Sequence, residues 1–177
     1  MSFSSHPSES VLKITMHIGS GSTFKTRMHS LQIGDTISIF KIKGKIALPD
    51  APTTGRVVFI AGGVGMTPFR SMILHARETS MSLRITLLQV QRVEPFLYAN
   101  DLKDKVEIYL PTQPEAFIST LNDLIDQQND ALFYVCGSRR FVDGAMSCFL
   151  SKGSVPSNRI YSESFGGGKR KRQCVVS

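Results

Sequence analysis

Residues 62–68 read Gly-Gly-Val-Gly-Met-Thr-Pro and form the first stretch of this sequence that could bind a ligand. The stretch follows an apolar run and precedes a pattern typical of a helix. Glycines let the backbone approach a bulky anion, and a helix start offers free N–H groups with a partial positive charge. That chemistry suits a pyrophosphate, with a merely tight strand-to-helix turn as the alternative. The stretch has neither the P-loop pattern nor the Gly-x-Gly-x-x-Gly spacing.

Cys136-Gly137-Ser138 forms a second such stretch, at the end of another apolar run. A small buried thiol at a strand end is usually part of a core, so the residues alone favour a structural role for Cys136. The three cysteines, Cys136, Cys148 and Cys174, are too widely spaced for a metal pair or a disulfide framework. We therefore predict no metal site and expect a reducing compartment.

Short apolar runs alternate with amphipathic ones around these stretches. Strands are predicted over residues 56–61, 83–90, 106–110, 131–136 and 159–165. Apolar stripes predict three helices, through Phe69, Met72, Ile73 and Ala76, through Phe117, Ile118, Leu121, Leu124 and Ile125, and through Phe141, Val142, Ala145, Met146, Phe149 and Leu150. This alternation predicts an α/β fold with a parallel, doubly wound sheet. Ligands of such sheets bind where the carboxyl ends of the strands meet.

Three residues predict where these helices begin and end. A hydroxyl residue followed by proline is typical of a helix start, so Thr67 is predicted as the N-cap and Pro68 as the first helical residue. Gly153 predicts the end of the third helix.

The residues before the first of these strands have a different pattern, which predicts a small antiparallel β unit. Strands are predicted over residues 11–18 and 36–42, and turns over residues 19–22 and 31–35. Residues 49–55 are rich in breakers and predict a domain boundary. The predicted domains are the β unit over residues 1–52, the α/β domain over residues 53–166 and a basic tail over residues 167–177.

The net charge of +7 is concentrated near the C-terminus, where Lys169, Arg170, Lys171 and Arg172 contribute four positive charges. A basic tail explains more of the charge than a basic face does, so we predict no nucleic-acid partner. Hydrophobic residues make up 41% and charged residues 20%, which is typical of a soluble globular protein. No apolar run approaches the roughly 20 residues of a membrane-spanning helix, and no secretory signal is visible. We therefore expect a cytoplasmic protein, whose oligomeric state the sequence leaves open.

Residues 174–177, Cys-Val-Val-Ser, fit a C-terminal prenylation box behind the basic run. A lipid together with a polybasic patch would anchor the protein to a membrane. The alternatives are a solvated tail with a chance match, or a nuclear address in the four basic residues. We expect a membrane as a partner only if Cys174 is prenylated.

Several motifs together resemble one protein family. Residues 60–69, Ile-Ala-Gly-Gly-Val-Gly-Met-Thr-Pro-Phe, resemble the NAD(P)-binding signature of the ferredoxin-NADP reductase-like flavoproteins. Tyr134-Val135-Cys136-Gly137 resembles their second signature, and Glu163-Ser164-Phe165 resembles their C-terminal end. Residues 2–7, Ser-Phe-Ser-Ser-His-Pro, are similar to the back half of their Arg-x-Tyr-Ser flavin motif, and residues 19–22 and 34–35 match the flavin-phosphate loop and the next turn. The resemblance runs from Met1 to about Gly166.

The resemblance implies that residues 1–52 are part of an antiparallel, flavin-binding β-barrel. FAD or FMN would lie between this barrel and the α/β domain, which would bind NAD(P)H. Hydride would pass from NAD(P)H to the flavin, and electrons would pass to an acceptor that the sequence does not identify. The alternative is a non-catalytic nucleotide-binding module, a truncated relative that has lost usable flavin.

The resemblance also implies roles for single residues. Ser2, Phe3 and Ser4 match the flavin motif, with Ser2 hydrogen-bonding the flavin, and Ser22 and Thr23 match contacts on its phosphate side. The pyridine-nucleotide contacts correspond to Gly62, Gly63, Gly65, Thr67, Pro68 and Gly137. Cys136, Glu163 and Phe165 match groups near the nicotinamide, and Cys136, Glu163 and Ser2 are the expected catalytic residues. Arg92 matches a residue that reads the adenosine ribose or its phosphate, with a solvated loop cation as the alternative.

The sequence departs from the family pattern at its start. The arginine of the flavin motif would precede Met1, and Met1 replaces its aromatic residue. The first half of the barrel is absent as well, so we expect an N-terminally truncated relative with weak flavin binding. The alternatives are that Met1 is an internal position of a longer chain, that the protein is a fragment, or that a partner completes the barrel. Ile46 replaces a phenylalanine that is common in the family.

Overall fold

The computed structural model describes residues 2–18, 22–40, 44, 46–49, 55–92 and 94–165. The strands within them are β1 (Ser2–Phe3), β2 (Ile14–Thr15), β3 (Arg56–Gly62), β4 (Arg84–Val90), β5 (Glu107–Tyr109), β6 (Leu132–Ser138) and β7 (Ile160–Phe165). The α-helices are α1 (Thr23–His29), α2 (Met66–Glu78), α3 (Ala99–Leu102), α4 (Pro114–Gln127) and α5 (Arg139–Lys152). Short 3-10 turns lie at Gly63–Gly65 and Ser157–Arg159.

Five strands form one parallel sheet in the order β5-β4-β3-β6-β7. The chain starts in the middle at β3, winds outward to β5, and then returns beside β3 to wind outward to β7. This doubly wound arrangement confirms the predicted fold class, and each strand lies within one or two residues of its predicted bounds. The direction of winding reverses between β3 and β6, so the crevice for ligands lies at their carboxyl ends.

Apolar layers cover both faces of the sheet, which explains why its central strands are apolar throughout. Along β3, Val57, Phe59 and Ala61 face one layer, and Val58 and Ile60 face the other. Helix α2 contributes to the first layer, and α4 and α5 contribute to the second. The core therefore holds α2, and with it the loop after β3, firmly against one face of the sheet.

Two predicted core residues lie on the surface. Ile118 is 48% exposed and Leu150 is 72% exposed. Each directly follows an aromatic residue that packs on the second layer, Phe117 or Phe149. Because consecutive helical residues point about 100° apart, the residue after the aromatic one turns away from the sheet. The end of α5 is as predicted, with Gly153 in a left-handed conformation at a φ of 63°.

The N-terminal part contains less β-structure than predicted. Strands β1 and β2 pair antiparallel, and β1 packs beside α2, but the predicted strand over residues 11–18 shortens to Ile14–Thr15. Residues 36–40 form no strand, because these residues are exposed and have no partner strand among the described residues. The predicted turn near Gly34 is present, whereas helix α1 was not predicted.

Some predictions fall on residues outside the described part of the chain. These are the role of Met1, most of the turn over residues 19–22, the end of the strand over residues 36–42, most of the boundary over residues 49–55, and the tail with Cys174. The proposed domain limits remain predictions. In the part of the chain that is described, no helix is long and apolar enough to cross a membrane.

Candidate functional site

The loops after β3 and β6 are in contact at the carboxyl edge of the sheet. A Cβ added to Gly65 would lie 2.5 Å from the carbonyl carbon of Cys136 and 2.8 Å from the backbone nitrogen of Gly137. Side-chain carbons do not approach rigid backbone so closely, so only glycine fits at position 65. The structure thus brings together two stretches that the sequence analysis identified separately.

The ring of Phe141 covers the glycines on both strands. A Cβ added to Gly62 would lie 2.6 Å from Cγ of Phe141, and one added to Gly137 would lie 2.7 Å from its Cδ1. Ser138 caps α5 by accepting a 3.3 Å hydrogen bond from the backbone N–H of Phe141, which fixes this first turn. The sequence analysis missed this role and placed Phe141 only on a helix stripe. The signal it overlooked is an aromatic residue in the first turn of the helix, four positions after Gly137.

Gly63 and the start of α2 form the open side of this loop. Gly63 has a φ of 54°, which favours glycine, and a Cβ there would meet no described atom within 4 Å. No side chain caps the first turn of α2, and no acidic residue lies in it. The 3-10 turn at Gly63–Gly65 runs directly into α2, and the backbone N–H of Met66 bonds the carbonyl oxygen of Gly63, so the N–H groups without a side-chain cap are those of the turn itself. This arrangement suits an anionic group such as a pyrophosphate.

Thr67 does not cap α2, contrary to the prediction. The 3-10 turn at Gly63–Gly65 runs directly into the helix, so Met66 is already helical and Pro68 is the third helical residue. Thr67 is 1% exposed, and its Oγ1 makes no hydrogen bond with the described residues. Leaving a buried hydroxyl without a partner costs about 1–3 kcal/mol. A cofactor that bonds this hydroxyl would remove that cost, so the residues here fit a bound cofactor.

Cys136 is fully buried and packs in the layer between the sheet and α2. Burial, with a smaller contribution from the charge of Glu163, raises the pKa of its thiol to about 12. The thiol is therefore neutral at physiological pH and unsuited to act as a nucleophile.

Glu163 and Phe165 lie on β7, the edge strand next to β6. Glu163 is the direct register partner of Cys136, and Phe165 is the partner of Ser138 at the end of β7. Both side chains are half-buried, and Phe165 packs against the same layer as Cys136. The predicted nicotinamide-side residues therefore lie next to one another at one edge.

The predicted flavin residues lie on β1 and at the start of α1. Ser2 and Phe3 are half-buried on β1, which packs beside α2. Ser4 is fully buried, and its hydroxyl donates a 3.3 Å hydrogen bond to the carbonyl oxygen of Lys13. Because its polar atoms bond within the protein, this placement favours a structural role for Ser4.

The remaining predicted residues lie on the surface or near it. Ser22 directly precedes α1, and Thr23 is the exposed first residue of that helix. Arg92 is exposed and lies two residues after the end of β4, at the carboxyl edge of the sheet. Arg92 therefore lies on the side of the sheet that carries the glycine loop.

Arg70, which is buried, and Glu9, which is partly exposed, form an ion pair that the sequence analysis missed. The guanidinium donates to both carboxylate oxygens, from Nη1 at 2.7 Å and from Nη2 at 3.1 Å. Its Nε lies 3.2 Å from the carboxylate of Asp101, and its Nη1 also donates a 2.8 Å hydrogen bond to the carbonyl oxygen of Ser4. The hydrogen bonds from Arg70 and Lys13 hold the pKa of Glu9 well below its usual range. We call this cluster of Arg70, Glu9, Asp101 and the Ser4 carbonyl the Arg70 clamp.

More contacts continue along the same face of α2. Ser71 donates a 2.9 Å hydrogen bond to the carbonyl oxygen of Ser5. One turn further on, Nδ1 of His75 lies 3.1 Å from Nε2 of His6. The signal available in the sequence was Arg70, a cation directly after Phe69 of the apolar stripe of α2.

The described residues include no group of three or more histidine, cysteine, aspartate or glutamate side chains that could hold a metal ion. The crevice itself contains the glycine loop, the Thr67 hydroxyl and the Cys136–Glu163 pair.

No family model matches the chain. It is 26% identical over 168 residues to the reductase component of phenol 2-monooxygenase from Pseudomonas sp. (strain CF600), across 82% of this chain and 47% of that protein. It is 32% identical over 122 residues to reductase component 1 of terephthalate 1,2-dioxygenase from Comamonas sp., across 67% of this chain and 35% of that protein. A solved mutant of ferredoxin-NADP+ reductase from Plasmodium falciparum, with 2'P-AMP, matches with a TM-score of 0.67 at 15% identity, across 93% of this chain and 76% of that one.

The chain spans less than half the length of these two curated relatives. Its fold is that of the ferredoxin-NADP reductase-like proteins, with a glycine loop and a buried hydroxyl at the carboxyl edge of a doubly wound sheet. The resemblance drawn from the motifs is confirmed: the chain is related to the ferredoxin-NADP reductase-like flavoproteins.

Proposed function

We propose that this protein is a flavin-dependent NAD(P)H oxidoreductase. The observation that carries the proposal is the contact between the Gly62–Gly65 loop and Cys136-Gly137, beside the unpartnered buried hydroxyl of Thr67. When bound, the cofactors supply the chemistry: a hydride, which is one proton with two electrons, moves from NAD(P)H to FAD or FMN, and both electrons then leave for an acceptor.

The nucleotide would lie across the carboxyl edge of β3, β4 and β6. Gly63, Gly65 and the backbone N–H groups of the turn that they enclose would bind its pyrophosphate. Arg92 would reach the adenosine ribose or its phosphate. Gly65 leaves the backbone of Cys136 in contact with the loop, so the loop and β6 would hold the nicotinamide from two sides.

The nicotinamide side of the site would be formed by Thr67, Cys136 and Glu163. The Thr67 hydroxyl would gain its hydrogen bond from the bound cofactors. Cys136 would act through its surface, because its thiol stays neutral, and Glu163 would hold neighbouring hydrogen bonds. Phe165 would exclude water from this edge of the crevice.

The flavin would lie on the β1 side of the crevice. Ser2 would hydrogen-bond the flavin and Phe3 would line its site, with Ser22 and Thr23 towards its phosphate. Strand β1 packs beside α2, the helix that follows the Gly62–Gly65 loop, which supports this placement.

The acceptor that we propose is a protein. Two relatives are reductase components of a monooxygenase and of a dioxygenase, which supports an oxygenase component or another redox protein as the class of partner. They also favour the redox role over the non-catalytic alternative. We further propose a cytoplasmic location, which the free thiols of Cys136 and Cys148 support.

The test is anaerobic reduction of the full chain loaded with excess FAD or FMN. We expect NADH or NADPH to bleach the flavin absorbance of the protein faster than that of free flavin. Arg92→Ala should weaken NADPH binding more than NADH binding if this side chain reads a 2′-phosphate. If saturating FAD and FMN both fail to bind, or if neither nucleotide bleaches bound flavin, the proposed function is wrong.

A further inference from the structure

We propose that Arg70 is a positioning residue. It fixes strand β1, on the flavin side, in register against the Gly62–Gly65 loop, which is proposed to bind the nucleotide. Arg70 lies on α2, three residues after Thr67 at the start of that helix. Its guanidinium binds the carbonyl oxygen of Ser4, two residues after Ser2 on the flavin side. One side chain therefore connects both halves of the proposed crevice. The redox consequence of this inference rests on the proposed function.

The contacts of Arg70 show that its position is determined closely. Arg70 is only 6% exposed, so its side chain has little contact with water. Its three nitrogens together bond Glu9, Asp101 and Ser4, and its carbon lies 5.1 Å from the centre of the Tyr98 ring. The bidentate pairing with Glu9 needs a planar fork of donors, which lysine does not have. A displacement of β1 along α2 would break several of these bonds at once.

Residues further along α2 hold Ser5 and His6 of the N-terminal segment in the same register. Ser71 bonds the Ser5 carbonyl at 2.9 Å, and His75 lies 3.1 Å from His6. The segment over residues 4–6 therefore runs along α2 with one contact at each step. Arg70 makes the first and most connected of these contacts, nearest to Ser2 and Thr67.

Through β1, Arg70 would set the distance between the bound nicotinamide ring and the bound flavin ring. Hydride transfer falls steeply when the reacting atoms are displaced by small amounts. A loosened β1 would leave the glycine loop and the start of α2 intact, since those are held by β3 and β6. Loss of the clamp should therefore lower the rate of hydride transfer while nucleotide affinity is kept.

The first measurement needs no cofactor and uses amide hydrogen exchange of the full chain. Ser4 donates its backbone N–H to Lys13 at 2.9 Å, so it reports the pairing of the N-terminal segment. In Arg70→Met, exchange over residues 4–15 should rise by about tenfold or more. Arg70→Lys should fall between Arg70→Met and wild type, and exchange over residues 132–138 should not change. The matched control is Lys152→Met, which removes the exposed ion pair with Asp126 on the opposite layer and should leave residues 4–15 unchanged.

The second measurement uses the flavin-loaded chain. In Arg70→Met, the rate of flavin reduction at saturating NAD(P)H and the charge-transfer absorbance of the ring pair should fall by about tenfold or more. The dissociation constant for 2′-phospho-AMP or ADP-ribose should stay within about twofold, which a general loss of structure would not allow. Glu9→Gln, which keeps the shape of the side chain, gives a milder version of the same losses if Arg70→Met fails to fold.

The outcomes separate the two proposals. If wild type binds no flavin, the proposed function fails, and the exchange measurement still tests the clamp. If exchange over residues 4–15 is the same in Arg70→Met as in wild type, the clamp is wrong. If exchange rises but reduction and charge-transfer absorbance stay at wild-type values, Arg70 is structural only and the positioning role is overturned.

Discussion

Gly65 and the carbonyl group of Cys136 touch across the carboxyl edge of the sheet, and no side-chain atom fits between them. Both partners are parts of the main chain, so neither can rotate away as a flexible side chain would. The contact holds the nucleotide loop directly on β6, the strand that carries the proposed nicotinamide site. A small change at position 65 should therefore affect stability and binding together.

We predict that Gly65→Ala lowers the free energy of unfolding by about 1–3 kcal/mol, because the new methyl group forces the loop away from β6. NAD(P)H affinity should fall as well. Urea unfolding and calorimetry measure the two effects. The matched control is Gly144→Ala in α5, where a Cβ meets no described atom within 4 Å. Alanine is favoured there by about 0.5–1 kcal/mol, so an equal loss in both variants would contradict the prediction.

Thr67→Val should have opposite effects on stability and on binding. The substitution removes a buried hydroxyl that has no partner among the described residues, so the free protein should become more stable by about 1–3 kcal/mol or stay unchanged. Affinity for flavin or nucleotide should fall, because the hydroxyl bonds one of them in the proposed site. Thermal melting without ligand and calorimetric titration measure these quantities.

Thr86→Val serves as the control for that prediction. Thr86 is also fully buried, but its hydroxyl bonds Glu107 at 3.3 Å and Gln128 at 3.4 Å. Removing it should destabilise the free protein, since the partners lose their bonds. If Thr67→Val destabilises the free protein as much as Thr86→Val does, the Thr67 hydroxyl has a structural partner and our reading of it is wrong.

The pKa of Glu9 predicts how acid affects the N-terminal unit. A carboxylate whose folded pKa is lowered stabilises the fold above its unfolded pKa of about 4.3. That contribution is lost as the pH falls towards the folded pKa. Stability should therefore decline below about pH 4.3, and Glu9→Gln should flatten this decline while lowering stability at neutral pH. Urea unfolding between pH 3 and pH 7 measures the free energy of unfolding at each pH. The control is Asp143→Asn in the exposed Arg139–Asp143 pair. Equal pH curves for wild type and Glu9→Gln would contradict the prediction.

The α/β domain could be predicted well because each strand is a continuous apolar run and each helix has an apolar stripe. The period of the apolar residues and the residues that flank each run are enough to predict strands and helices when one apolar layer covers each face of a sheet. The N-terminal part could not be predicted in the same way. Ile37, Ile39 and Phe40 have the residue types of a strand, but a strand also needs a partner, which local pattern does not report.

The candidate site could be predicted only where main-chain geometry determines it. Gly63 must be glycine because of its positive φ, and Gly65 because of its contact with the backbone of Cys136. The sequence shows both as a glycine-rich stretch at the end of a strand. Arg70 and Glu9 are 61 residues apart in the chain, and no local period links them. Thr67 was wrongly predicted as the N-cap of α2. The 3-10 turn at Gly63–Gly65 runs directly into the helix, so the helix begins before the Thr67-Pro68 pair on which the prediction depended.

Cys136 predicts a second pH effect, at the alkaline end. Its folded pKa of about 12 lies above the unfolded value of about 8.5, so the neutral thiol contributes stability that is fully present below pH 8.5. That contribution is lost as the pH rises towards the folded pKa. Urea unfolding between pH 7 and pH 11 should show a steeper alkaline decline in wild type than in Cys136→Ala. Identical slopes in the two proteins would mean that the thiol is less buried than its position in the core indicates.

The same substitution separates packing from redox function. Cys136→Ala removes one buried sulfur atom and should lower the free energy of unfolding by only about 1 kcal/mol. In the flavin-loaded protein it should lower the rate of flavin reduction by about tenfold or more, because Cys136 lies opposite Glu163 where the nicotinamide is proposed to bind. Anaerobic stopped-flow measures the rate, and thermal melting measures the stability. Cys148→Ala, at the other free thiol of the described chain, is the control and should leave the reduction rate unchanged. A lower melting temperature with an unchanged reduction rate in Cys136→Ala would assign this cysteine to the core alone.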